Sequence, residues 1–272
     1  MKLLLLGGTS DARRLAKPLI DQGIEVVYSV AGLVRMPDLD CQVISGGFSD
    51  KGGLQHYLMA QQIAAVLDAT HPYAVNISAS AVAACRALGL NYWRFDRPPW
   101  SAQADDHWIN VNDWQQLLAA CKGFKKPFLT LGQVAQQSLD SIAQHSEQVL
   151  YRTAVSGAST LADNVLWHKA IGPFNEQSEI ALFKQHDIDV LVSKNAGGQA
   201  TQAKLGAARA LKIPVIMFAR PSVNGVNGVI SASASASDSN TSGTAFNHLL
   251  FNDIEQTMTA IAQFYQSVKR SH

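Results

Sequence analysis

Residues 2–16, KLLLLGGTSDARRLA, pass from an unbroken apolar run through two glycines into a segment of helical period. Lys2 to Leu6 shows no polar alternation, the pattern of a strand buried on both faces of a parallel sheet. Gly7-Gly8-Thr9-Ser10 forms the turn. From about Asp11, Ala12, Leu15, Ala16, Leu19 and Ile20 recur on one helical stripe. Pro18 removes the helix bond to Arg14 and is expected to kink the last turns. Strand, glycine turn and helix in this order bring backbone N–H groups and the positive end of a helix against a phosphate. The third glycine of the GxGxxG fingerprint is absent, so the turn alone fits an ordinary tight connection equally well.

The same rhythm continues outward. Strands are expected at Ile24 to Ser29, Cys41 to Ser45, Ile63 to Ala69 and Leu90 to Phe95, with helices around Leu54 to Gln61 and beyond Pro72. Arg97-Pro98-Pro99-Trp100 stops regular structure and marks a domain boundary. Further strands are expected at Trp108 to Val111, Pro127 to Leu131, Gln148 to Arg152, Ile188 to Ser193 and Pro214 to Ala219, with a helix from about Thr201. The fold class is therefore α/β: two Rossmann-like domains, residues 1–98 and 99–272, with mostly parallel sheets flanked by helices. The Ser/Ala-rich tract within residues 222–246 reads as a flexible loop. Leu250, Ile254, Met258, Ile261 and Tyr265 mark a closing amphipathic helix, and its Tyr265–Lys269 YxxxK spacing is read as coincidence.

Composition narrows the function. A 47% hydrophobic, 16% charged chain of 272 residues has a well-buried core, and a net charge of +1 offers no global attraction to nucleic acid or membrane. An anionic ligand must then be held by local amides and cations. Cys41, Cys85 and Cys121 are widely spaced and odd in number, which argues against a disulfide framework or a zinc site and for buried thiols in a reducing compartment. The apolar run at the N-terminus is too short for a secretory core, and no membrane span is expected; cytoplasm is the expected location.

Four places could carry chemistry. Gly7, Gly8, Thr9, Ser10 and Asp11 form the phosphate turn. Ser29, Ala31, Gly32 and Arg35 stand where NAD-binding folds place an acid for the ribose hydroxyl; a hydroxyl and a guanidinium there suit a 2′-phosphate better. Asp68-Ala69-Thr70-His71-Pro72-Tyr73 gathers a carboxylate, a hydroxyl, an imidazole and a phenol at a strand end. Lys194, Asn195, Gly197 and Gly198, backed by Lys204, form an anion-binding corner.

These motifs together resemble the precorrin-6A reductase family, cobalt-precorrin-6A reductases included. The resemblance is carried by LLLLGGTSDARRLA, SVAG, GGFSDKGGL, DATHPYAVNIS, RPPW, AIGPF and LVSKNAGGQATQAKLGAARALKIPVIMFARP. It implies an NADPH-dependent reduction of one double bond of a precorrin macrocycle in cobalamin biosynthesis, at an active site in the cleft between two Rossmann-like domains. Gly7 to Ser10 would hold the cofactor phosphates, Ser29, Ala31 and Gly32 the adenosine side, and Thr70 and His71 would lie near the nicotinamide. His71, Tyr73 and Lys194 are all chemically able to give the proton, and solvent could serve instead. Lys194, Asn195, Gly197, Gly198, Lys204 and Arg97 would face the tetrapyrrole, with Arg94, Arg152 and Arg220 as further partners for its carboxylates. Transfer of substrate from neighbouring pathway enzymes is the implied partnership. Two other readings stay open on the residues alone: a reductase of another conjugated anion, and a module that senses NADPH without turnover.

Overall fold

The computed structural model describes residues 2–32, 37–157, 160–221, 230–231 and 248–270. It forms two compact units, Met1–Pro98 with Ser222–His272, and Pro99–Pro221. Most of the Ser/Ala-rich tract, and Arg35, lie outside the described residues.

The first unit runs β1 (Lys2–Leu6), α1 (Ser10–Asp21), β2 (Glu25–Val30), β3 (Gln42–Ser45), α2 (Leu54–Ala60), β4 (Ile63–Asp68), α3 (Val75–Leu88) and β5 (Asn91–Phe95). Its sheet is parallel and its strand order is β12-β13-β5-β4-β1-β2-β3, where β12 is Ile230–Ser231 and β13 is His248–Phe251. The apolar run of β1 explains its central place. Leu3 and Leu5 enter one core beneath α1 and the final helix α8 (Ile254–Arg270), while Leu4 and Leu6 enter the other beneath α2 and α3. Pro18 is accommodated inside an unbroken α1.

The second unit runs β6 (Trp108–Val111), α4 (Trp114–Cys121), β7 (Pro127–Thr130), α5 (Gln136–Ala143), β8 (Val149–Thr153), β9 (Val165–Lys169), α6 (Glu176–Gln185), β10 (Val190–Lys194), α7 (Ala203–Ala210) and β11 (Val215–Phe218). Its strand order is β6-β11-β10-β7-β8-β9, again parallel. From β9 to β11 this repeats the order of the first sheet from β3 to β5. The expectation of two parallel α/β domains is met.

The extent of the second domain is corrected. Residues 99–272 were expected to form one domain, but the C-terminal segment returns to the first unit. There β13 pairs with β5, Phe251 packs among Trp93 and Phe95, and the Trp93 and Phe264 rings meet edge to face at 5.3 Å. Without β13 the outer edge of β5 would be open, and pairing it satisfies those backbone groups. Leu250, expected at the start of the closing helix, belongs to β13. Tyr265 donates to the Gly23 carbonyl at 3.0 Å, a structural use of the YxxxK tyrosine. Cys85 and Cys121 are buried, and burial pushes both thiols up to about 12, which keeps them inert.

The returning strand carries a titratable group into the core. The His248 ring stands edge-on to Tyr92 at 4.8 Å, and burial, with Arg86 and Arg94 nearby, holds its pKa down at about 4 despite Asp68. The unfolded chain takes up this proton near ~6.5, so stability should fall as pH drops from about 6.5 towards 4. Thermal unfolding across that window should show a shallower slope for His248→Phe than for the wild type.

Candidate functional site

The first βα turn is built from its strand outward. Gly7 donates its N–H to the Ser29 carbonyl at 2.7 Å, and Gly8 donates to the Tyr28 hydroxyl at 3.2 Å. A Cβ at Gly7 would collide with the Tyr28 phenol, and Gly8 adopts a φ of +95°, so both positions require glycine. Thr9 caps α1: its hydroxyl accepts from Ala12 N–H at 3.0 Å and donates to the Ala69 carbonyl at 2.8 Å. The two glycine amides expected to grip phosphate are thus bonded within the protein. The amides of Ser10 and Asp11, in the first turn of α1, have no intrahelical acceptor and are the ones available to an anion. The Asp11 carboxylate pairs with Arg97 at 2.9 Å, which places Arg97 in the first unit beside this turn.

A cavity of about 390 Å³ opens at the carboxyl ends of β1, β2, β3 and β4. Its lining brings together Gly7, Gly8, Ser29, Ala31, Gly32, Thr70 and His71, seven of the residues expected from sequence. It also includes Gly46, Gly47 and Phe48, the start of the GGFSDKGGL motif, to which the sequence assigned no role. A glycine pair at the carboxyl end of a parallel strand was the signal available for them. Tyr28 gave none, since its role depends on what lies beneath the turn. No carboxylate is among the described lining residues. A Cβ on Gly8 or on Gly46 (φ +89°) would meet no protein atom within 4 Å, so both leave room for a ligand. With the start of α1 alongside, this donor set fits a phosphorylated nucleotide.

Thr70 and His71 follow β4. The Asp68 side chain is fully buried; one oxygen accepts from the Thr70 N–H (3.0 Å) and hydroxyl (2.7 Å), the other from the Tyr92 hydroxyl (2.7 Å) and Arg94 (2.8 Å). Arg94 also donates to Ser78 at 2.6 Å. Asp68 and Arg94 are therefore committed inside the fold, not presented to a ligand. His71 Nδ1 accepts from the Tyr73 N–H at 3.3 Å, and the two rings tilt against each other at 5.5 Å. That bond leaves the Nε2 tautomer as the protonated one in neutral imidazole.

The remaining expected residues lie in the second unit. Lys194 ends β10, and burial pushes its amine's pKa down. The Asn195 side chain exchanges two hydrogen bonds with the Trp100 backbone, at 2.7 and 3.0 Å, which clasps the entry of the unit to the loop after β10. Gly197 takes a φ of +72° within that loop, and Gly198 precedes a short turn of helix, Gln199–Thr201. Arg220 donates to the carbonyls of Asn195 and Ala196. Lys204, expected beside Lys194 as an anion partner, is instead buried, with Nζ on the Thr130 hydroxyl at 3.0 Å and its amine over the Trp100 ring. Arg152 forms a buried two-bond pair with Glu179 at 2.6 and 3.1 Å and stacks on Phe174. Among the described residues no cluster of metal-ligating side chains occurs, and no helix is long and apolar enough to cross a membrane.

Residues 2–238 match the family described as Precorrin-6x reductase CbiJ/CobK. The chain is 40% identical over 229 residues to a Precorrin-6A reductase of Rhodobacter capsulatus, covering 82% of this chain and 89% of that one. It is 27% identical to a Cobalt-precorrin-6A reductase of Methanocaldococcus jannaschii, over 82% and 92%. A solved structure of CobK precorrin-6A reductase superposes with a TM-score of 0.79 at 34% identity, covering 97% and 96% of the two chains.

Two consequences can be measured. Gly7→Ala forces the Tyr28 ring aside and should cost ~1–3 kcal/mol of unfolding free energy in denaturant titration. Burial holds the Lys204 pKa at about 7, against 10.5 for the free side chain. Between those values the unfolded chain binds the extra proton, so stability should rise with pH from about 7 to 10.5. Lys204→Met should flatten that rise.

Proposed function

Because the chain belongs to the precorrin-6x reductase family, we propose that it reduces one C=C bond of precorrin-6A with NADPH, in cobalamin biosynthesis. The observation that carries the reading is the cavity at the glycine turn, lined by Gly7, Gly8, Thr70 and His71 with no carboxylate among its described lining residues, within a chain matched to that family over most of its length. The metal-free macrocycle is favoured by similarity: relatives named Precorrin-6A reductase reach 40% identity, and those named Cobalt-precorrin-6A reductase reach 29%.

The amides of Ser10 and Asp11 and the dipole of α1 would hold the pyrophosphate. Ser29, Ala31 and Gly32 supply no carboxylate at the end of β2, which favours the 2′-phosphate of NADPH over the bare ribose of NADH. Bound NADPH supplies the hydride for one carbon of the double bond. The neighbouring carbon then needs a proton, and His71, Tyr73 and Lys194 are the side chains chemically able to provide it. Lys194 and the backbone of Gly197 and Gly198 are the second unit's candidates for the macrocycle's carboxylates. The remaining work of the chain is to orient two planar molecules and exclude water.

Purified protein given NADPH and precorrin-6A should lose the absorbance of the reduced nicotinamide in proportion to the macrocycle reduced. NADH should support a much lower kcat/KM. Binding of NADPH with no turnover of any precorrin would leave the sensing module as the better description. Lys194→Ala should raise KM for the macrocycle and leave NADPH affinity nearly unchanged.

A further inference from the structure

The hydrogen inventory around Thr70 fixes what that hydroxyl can do. A threonine hydroxyl has one hydrogen to give and two lone pairs with which to accept. Thr70 spends its hydrogen on Asp68 Oδ1 at 2.7 Å, and its own N–H bonds the same oxygen at 3.0 Å, so the side chain is held from two points. Asp68 cannot turn away, because its second oxygen is occupied by Tyr92 and Arg94. The Thr70 N–H and the Arg94 guanidinium can only donate, one to each oxygen, and the charge on Arg94 at 2.8 Å favours Asp68 as a carboxylate, which accepts only. Ser78, 3.5 Å from the Thr70 oxygen, does not change the outcome. Its oxygen already accepts from Arg94 and has the Ala74 carbonyl at 3.2 Å for its hydrogen. Even if Ser78 turned that hydrogen to Thr70, one Thr70 lone pair would remain.

Thr70 nevertheless lines the cavity. We infer that its hydroxyl, held by Asp68 as an acceptor, reads an N–H donor on the ligand, and that this donor is the N–H2 of the nicotinamide carboxamide. The inference rests on the cofactor assignment above. Strand order supplies the placement. The glycine turn after β1 takes the pyrophosphate, and the ends of β2 and β3, with Gly32, Gly46 and Gly47, take the nucleoside on one side. Thr70 lies across β1 at the end of β4, where the other nucleoside must go. Of that half, the carboxamide N–H2 is the donor borne on the reactive ring itself. Asp68 is thereby a positioning residue: it touches no ligand but sets the polarity of the group that does. A bond to this amide also fixes the rotation of the ring, and so which ring face is turned towards the substrate.

Titration calorimetry on the full-length protein tests this with three reduced cofactors: NADPH, its thionicotinamide analogue, which keeps the N–H2, and its 3-acetylpyridine analogue, which replaces it with methyl. The acetylpyridine form should bind roughly tenfold or more weakly than NADPH, since the bound ring would cover the Thr70 acceptor and leave it unpaired. The thionicotinamide form should stay close to NADPH. Thr70→Ser should preserve the ratio of amide to ketone affinity, and Thr70→Val should bring it near one. Equal binding of amide and ketone by the wild type overturns the inference, as does a ratio that survives Thr70→Val. The wild-type comparison decides alone if Thr70→Val does not fold. Failure of the underlying reading looks different: NADPH itself would not bind.

Discussion

At the carboxyl end of β4 lies a carboxylate without exposed surface, and Thr70, which lines the cavity, is bonded to it twice. Asp68 joins Thr70 on the cavity side to Tyr92 and Arg94 on β5, and Arg94 passes the connection to Ser78 on α3. A buried charge left unpaired is costly, so every member of this cluster is held where its partners need it. The same carboxylate that stabilises the packing of β4, β5 and α3 therefore sets the direction of a hydroxyl that lines the cavity.

That network reaches the far end of the chain. Tyr92 packs against His248, which opens the strand that returns after the second unit to pair with β5. The second sheet shows the reciprocal arrangement. The strand at its corresponding position, β6, precedes the other described strands of its unit, whereas β13 follows the other described strands of the first. Each sheet thus fills its outer place with a strand taken from outside the run of its neighbours. The gain is that β5 and β11 both become interior strands whose backbone groups are satisfied.

The cations divide into those that hold the protein together and those that can meet a ligand. Arg94, Arg97 and Arg152 each face a carboxylate, Asp68, Asp11 and Glu179 respectively. Among the described residues Lys204 has no such partner within bonding distance; it rests on a threonine hydroxyl and an aromatic face, and burial accounts for its lowered pKa. Lys194, at the tip of β10, is less deeply placed. A counted list of basic residues overstates the positive surface available to an acidic macrocycle, because internal acids neutralise Arg94, Arg97 and Arg152 and Lys204 is buried.

The sequence by itself determined the parallel α/β class, the glycine turn, the ends of β1, β2 and β4 that line the cavity and the resemblance to the reductase family. Those are local: an apolar run, a glycine pair and a helical stripe have the same meaning wherever the chain goes next. It also marked Thr70 and His71, because polar side chains were dense at a strand end. Only the tertiary structure decided that Asp68 is a fixed strut, that Tyr28 fills the space beneath Gly7, that Arg97 answers Asp11, and that residues 248–270 belong with the first unit. Each of these depends on a partner from 20 to well over 100 residues away, and pairing at that range is set by which edge, cavity or charge remains unsatisfied once the local elements have formed.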